Sequence, residues 1–138
     1  MPGNVSETYA AALQHGLAEV PEGATLVGVV RRPTGWFRAL VDENRAELGP
    51  PADLLDETKH LHERFAAQGM CDEGAHNAAW EETGFEERYL AYVKETAEAR
   101  AILDSLRDRL AADEDLVLVC FEGETKRCHR RLLVDLLD

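Results

Sequence analysis

Lysine is scarce in this chain. Only Lys59, Lys94 and Lys126 occur, and all basic residues together number 15 against 27 acidic ones, a formal net charge of −12. That balance argues against a broad nucleic-acid-binding face, which needs a basic surface. It suits a protein held soluble in concentrated salt, where repulsion between like charges is screened, and so points to a halophilic source. Cysteine is nearly as sparse. Cys71, Cys120 and Cys128 are odd in number, so they do not read as a disulfide framework; each thiol is either core filler or chemistry. No apolar run approaches the roughly 18–20 residues of a membrane span. The opening MPGNVSETYA has neither the basic n-region nor the apolar h-region of a secretory signal. A cytoplasmic protein without a membrane partner is therefore expected. Repeats, low-complexity tracts and long linkers are also missing.

What remains is sufficient for one domain over residues 1–138: 45% of the residues are apolar, enough for a real core. The spacing of Tyr9, Leu13 and Leu17 predicts a helix over 5–18, with Ser6 as its cap. The β-branched run 24–32, bounded by turn formers, reads as a buried strand. A loop carrying Arg31, Arg32 and Trp36 follows, then a short helix over 36–46. Residues 52–69 read as a helix, 69–77 as a loop, and 85–111 as a long amphipathic helix with a break near 98. The run 116–121 is a second buried strand, and 125–137 a closing helix. Apolar strands separated by helices imply an α/β fold, helix-rich, with a small and mainly parallel sheet. A third short strand is expected but has no clear place. Trp80, Phe85, Tyr89 and Tyr92 read as core rather than as a base-stacking platform.

The closing stretch CFEGETKRCHRRLLVDLL, residues 120–137, concentrates thiols and positive charge in an otherwise acidic chain. Gly123 permits a turn after the strand, and Thr125 is a plausible N-cap, which places Cys128 near the third helical position. Cys120 and Glu122 share one side of the strand's continuation. Stepping back four residues from Leu132 and Leu133 reaches Cys128 and His129, so both point inward, toward Cys120. Arg127, Arg131 and Asp135 follow the outer face, and Arg130 lies at the flank. Cations at a helix N-terminus oppose the macrodipole, whereas anions are favoured by the free N–H groups there. Lys126, Arg127, Arg130 and Arg131 thus describe an anion seat that should also lower the pKa of Cys128. If the two strands are parallel neighbours, Arg31 and Arg32 emerge at the same edge, where open α/β sheets bind ligands.

Familiar motifs fit poorly. A phosphatase loop wants Cys, five residues and Arg; counting from Cys120 that slot holds Lys126, and Glu122 and Glu124 would repel a phosphate. For zinc there is neither a CxxC pair nor an HExxH, and His60 and His62 do not face together on a helix. No metal and no cofactor is called for. Gly28 stands alone inside a strand, so there is no glycine-rich phosphate loop.

The strand, Cys-x-Glu, short gap and Cys-His-Arg of LVLVCFEGETKRCHRRLL resemble the hallmark of the domain of unknown function 488 family, here Cys120, Glu122, Cys128, His129 and Arg130. GVVRRPTGWF resembles the family's first strand and basic exit, and FEERYLAYV its aromatic–Arg–Tyr helix. A helix ahead of the first strand and the Gly49-Pro50-Pro51 segment depart from the usual pattern. The resemblance spans about residues 24–137. It implies an α/β fold and a pocket around the Cys-His-Arg element, without a substrate.

Three readings follow. In the first, a small anionic molecule, such as a nucleotide or phosphorylated metabolite, binds at the strand ends. Arg31, Arg32 and Arg130 hold it, Glu122 orients one of them, Cys120 adjoins it, Cys128 is a nucleophile or redox thiol, and His129 is its proton partner. In the second, the chain is an interaction or regulatory module, and the Cys-His-Arg element is a structural knot. In the third, a narrow basic pocket handles nucleic acid.

Overall fold

The computed structural model describes residues 3–123 and 125–138; Glu124, which was weighed against a phosphatase loop, lies outside the described residues. In chain order they form β1 (Val5–Tyr9), α1 (Ala10–Gln14), β2 (Thr25–Gly28), α2 (Gly35–Leu40), β3 (Glu43–Asn44), a 3-10 turn (Ala46–Leu48), α3 (Ala52–Ala67), α4 (Asp72–Thr83), α5 (Phe85–Glu95), α6 (Ala97–Ala111), β4 (Leu116–Cys120) and α7 (His129–Leu137). The expected helix-rich α/β fold is present. Four strands make one parallel sheet in the order β1-β4-β2-β3. β4 lies between β1 and β2, and all five of its residues are buried, as a parallel strand covered on both faces requires.

The sheet holds two strands that periodicity did not reveal. Residues 5–18 were expected to be helical, but Val5–Tyr9 pairs with β4 in the register Val5↔Leu116 to Tyr9↔Cys120. β4 has backbone donors and acceptors on two edges, and β2 satisfies only one of them. Val5, Thr8 and Tyr9 are strand-forming side chains, and tertiary pairing overrides the helical spacing of Tyr9, Leu13 and Leu17, of which only Leu13 lies in a helix, the short α1. Leu17, taken as part of the buried stripe, is 75% exposed. β3 is two residues long, too short to leave a pattern.

Two further corrections concern the helices. Residues 69–77 were expected to be a loop, yet α4 begins at Asp72. The Cys71 sulfur accepts from the Gly74 N–H at 3.3 Å, and Asp72 and Glu73 sit in the first turn, where negative charge is favoured. Gly74 inside the helix disguised it. The last helix begins at His129 rather than 125, with Cys128 rather than Thr125 as N-cap. The Asn77 side chain donates to the Thr125 carbonyl and accepts from the Arg127 N–H, giving this segment partners outside any helix. The expected break near 98 falls at Thr96, which is extended between α5 and α6.

The core joins the sheet residues Val27, Val29 and Leu116–Cys120 to Phe37, Leu48, Leu54, Tyr89, Leu106 and Leu133. α7 packs on β1 and β4, with α5 and α6 beside it, while α3 and α4 form an antiparallel pair. No helix among the described residues is long and apolar enough to cross a membrane.

Candidate functional site

β2 and β4 run side by side in the same direction, so their C-terminal ends open at one edge. The chain leaving β2 continues its pairing for a residue, because the Val29 N–H donates to the Val119 carbonyl at 3.0 Å. The Asn44 side chain then accepts from the Val30 N–H and donates to its carbonyl, at 3.1 and 3.0 Å. Arg31 and Arg32 therefore emerge at the edge where Cys120, Phe121 and Glu122 leave β4, as expected for parallel neighbours.

α7 is fastened to this edge by three consecutive residues. Cys128 is buried, and its sulfur is joined to that of Cys120 in a disulfide, with the two Cα atoms 7.7 Å apart. His129 places Nε2 2.6 Å from the Val29 carbonyl oxygen. A carbonyl only accepts, so Nε2 carries the proton and Nδ1, 3.5 Å from the Cys128 sulfur, presents a lone pair. Burial pushes the His129 pKa down to about 4, assisted by the charges of Arg130 and Arg31 and opposed by the Val29 hydrogen bond. The imidazole is neutral at pH 7.

Arg130 is not at the flank. Its side chain is 0% exposed and pairs with Glu7 through Nε. Nη1 donates to the Cys120 sulfur at 2.7 Å and to the Glu122 carbonyl at 2.5 Å. Tyr9 covers the guanidinium at 5.8 Å. The four-residue step from Leu133 does find the buried side of α7. The flank position of Arg130 became interior because β1, whose existence the periodicity hid, brings Glu7 against it.

Arg31 is likewise engaged. It donates to the carbonyls of Pro50 and Gly49, at 3.0 and 2.8 Å, and to the Tyr92 hydroxyl at 2.6 Å. Gly49 is required at this approach: a Cβ there would lie 2.3 Å from the Arg31 backbone nitrogen. Arg32 differs, being 58% exposed in its side chain and paired at 3.0 Å with Asp56.

The α3–α4 pair lies over the strand ends and borders a half-open cavity of about 310 Å³. Val30, Arg31, Arg32, Cys120, Phe121, Glu122, Cys128 and His129 form its floor and rim. Of the residues expected at the site, Arg31, Arg32, Cys120, Glu122, Arg127, Cys128 and His129 border it, and Lys126, Arg130 and Arg131 do not. The sequence missed the residues supplied by the α3–α4 pair. Leu55, Thr58, Lys59 and His62 line it from α3 at i, i+3, i+4 and i+7, a single helical face. His76 and Trp80 follow from α4 at i, i+4, and Phe85 stacks on Trp80 at 3.9 Å. His60 is not on this face, in keeping with its expected separation from His62. His76 donates Nε2–H to the Arg127 carbonyl at 2.8 Å, so α4 also holds the segment that leads into Cys128. Lys126 pairs with Asp72 at 2.5 Å, which raises its pKa, and Arg127 pairs with Glu81. Among the described residues no group of three or more His, Cys, Asp and Glu side chains converges to hold a metal ion.

The end of β4, the paired sulfurs, and His129 and Arg130 opening α7 lie together in space. A family model described as the active DUF488-N3 subclade matches residues 11–138. The chain belongs to the DUF488 family. The DUF488 match takes in the whole cavity and all of α3 to α7, but not Glu7, the partner of Arg130. No curated protein and no solved structure matches the chain.

Proposed function

We propose that this DUF488 protein binds a small anionic molecule in the cavity at the ends of β2 and β4, with Cys128, in its reduced form, as the reactive group. The supporting observation is the charge of the wall. Arg31, Arg32, Lys59 and Arg127 border the cavity against Asp56 and Glu122, in a chain whose net charge is −12. Local positive charge in a shaped cleft attracts anions even when the whole molecule repels them. Trp80, Phe85, Leu55 and Val30 give the same cavity an apolar wall, which suits a ligand with a non-polar portion.

The residues divide by role. Arg31 is held by backbone carbonyls and Tyr92, and Arg130 is fully buried, so anion contact falls to Lys59 and to Arg32 and Arg127, whose exposed pairs with Asp56 and Glu81 an anion would replace. In the reduced protein His129 Nδ1 accepts from the Cys128 thiol and takes its proton as the sulfur attacks. With a pKa near 4, the imidazole holds that proton only briefly.

The bonds of His129 and Arg130 also support the structural-knot reading, in which the element only ties α7 to the sheet. Alkylation of Cys128 in the reduced, folded protein separates the two. Protection by inorganic phosphate or pyrophosphate, lost on Lys59→Ala, supports anion binding. A Cys128 that stays inert until the protein unfolds leaves the knot and removes the site.

A further inference from the structure

We infer that Cys120 and Cys128 form a reversible dithiol–disulfide couple, opened from the cavity side by a small dithiol, with Arg130 as the positioning residue that receives charge on Cys120. The inference rests on the reading that reduced Cys128 serves the cavity, and it adds the means by which that thiol is withheld and released.

The two sulfurs have different surroundings. Both cysteines border the cavity, and Cys120 has a guanidinium against it, Arg130 Nη1 at 2.7 Å. Arginine is charged at every working pH, so a thiolate forming at Cys120 is met by a fixed positive charge. Cys128 has the neutral His129 beside it instead. This asymmetry selects the sulfur to be attacked. A thiolate entering the cavity attacks Cys128, the sulfur–sulfur bond breaks, and the electron pair leaves with Cys120, the better leaving group. The entering reagent's second thiol then attacks the reagent's own sulfur in the mixed disulfide, and Cys128 leaves as a thiolate. The reagent departs as a disulfide, and the protons it gave up end on the protein thiols or in solvent. The reverse exchange, with an oxidised dithiol, closes the pair. The Cα separation of 7.7 Å lies beyond the roughly 4.4–6.8 Å of most bridged pairs, so separate thiols fit this backbone without bringing the two chains closer. The described residues of the connecting segment, 121–123 and 125–127, are irregular, and nothing crowds Gly123. Among these described residues there is no helix or strand that must break. Oxidation therefore withdraws Cys128 from the cavity, and reduction restores it.

Cys71, the third cysteine, is exposed and remote in role, capping α4. Its replacement by serine keeps a capping side chain and leaves only the pair. The Cys71→Ser protein is equilibrated, folded, with mixtures of reduced and oxidised dithiothreitol, then trapped with N-ethylmaleimide and weighed. The expected result is one two-electron step between a form that takes no maleimide and a form that takes one on each cysteine, reached from both directions. Two results overturn the couple: maleimide on both cysteines at every ratio, or opening of the bridge only in denaturant. Phosphate protection of Cys128 in the reduced protein reports separately on anion binding. Reversible bridging without protection removes the ligand reading alone, and protection without bridging removes the couple alone.

Discussion

His129 donates to the carbonyl of Val29 at 2.6 Å, one hundred positions earlier in the chain, and so joins the start of α7 to the end of β2. The bond requires the neutral imidazole in one tautomer. Its folded pKa of about 4 lies below the ordinary value of 6.5, so between these values the unfolded chain binds more protons than the folded one. The contribution of His129 is fully present above about pH 6.5 and is lost as pH falls toward 4. The loss is on the order of 2–3 kcal/mol. Urea unfolding at pH 6.5 and 4.5 checks it: His129→Gln should show a shallower fall in stability than the parent. Equal falls would remove His129 as a source of the acid sensitivity.

Tyr89 sits against the His129 ring at 5.3 Å and donates its hydroxyl to the Leu48 carbonyl at 2.5 Å. Burial raises its pKa well above the usual value. Tyr89→Phe keeps the ring and leaves that carbonyl without its partner, which costs about 1–3 kcal/mol. A lower urea midpoint with unchanged slope is the expected result.

Arg130 is a fully buried cation whose acidic partner, Glu7, is only 29% exposed in its side chain. Glu7→Gln removes the countercharge but little volume, and should lower stability by about 1.5–3 kcal/mol. Adding Arg130→Met to that variant removes the unpaired charge and should recover part of the loss, since apolar replacement of a buried pair is often tolerated. Chemical denaturation of both variants tests this. A double variant less stable than Glu7→Gln alone would show that Arg130 matters more through its contacts to the Cys120 sulfur and Glu122 carbonyl.

These residues show which parts of the structure were legible in the sequence. β2 and β4 announced themselves as apolar, β-branched runs within 24–32 and 116–121, although β2 itself covers only Thr25–Gly28, and the inward aspect of Cys128 and His129 followed from α7's leucines. β1 was not legible, because Tyr9, Leu13 and Leu17 satisfy helical spacing while the pairing that decides the matter lies at residues 116–120. Missing β1 meant missing Glu7, and so the interior position of Arg130. Lys59, His62 and His76 went unassigned for a related reason. Each lies on a recognisable helical face, or would have with α4 in place, but which face covers the strand ends is a tertiary fact.

Lys59 and Arg32 are the residues whose loss should affect binding without affecting folding. The Arg32–Asp56 pair is more than half exposed on both sides, and such pairs add little to stability. Arg32→Ala should therefore leave the urea midpoint nearly unchanged. Lys59 projects from the α3 face that borders the cavity and should behave likewise. If the cavity holds an anion, each substitution removes one of the charges facing it. Pyrophosphate affinity of the reduced protein, measured by titration calorimetry, should fall about tenfold for each change, the equivalent of 1.4 kcal/mol. Added salt should narrow the difference between variant and parent, because both side chains act through partly exposed charge. Unchanged affinity in both variants would move the anion away from this wall, and with it the case for Cys128 as a reactive group.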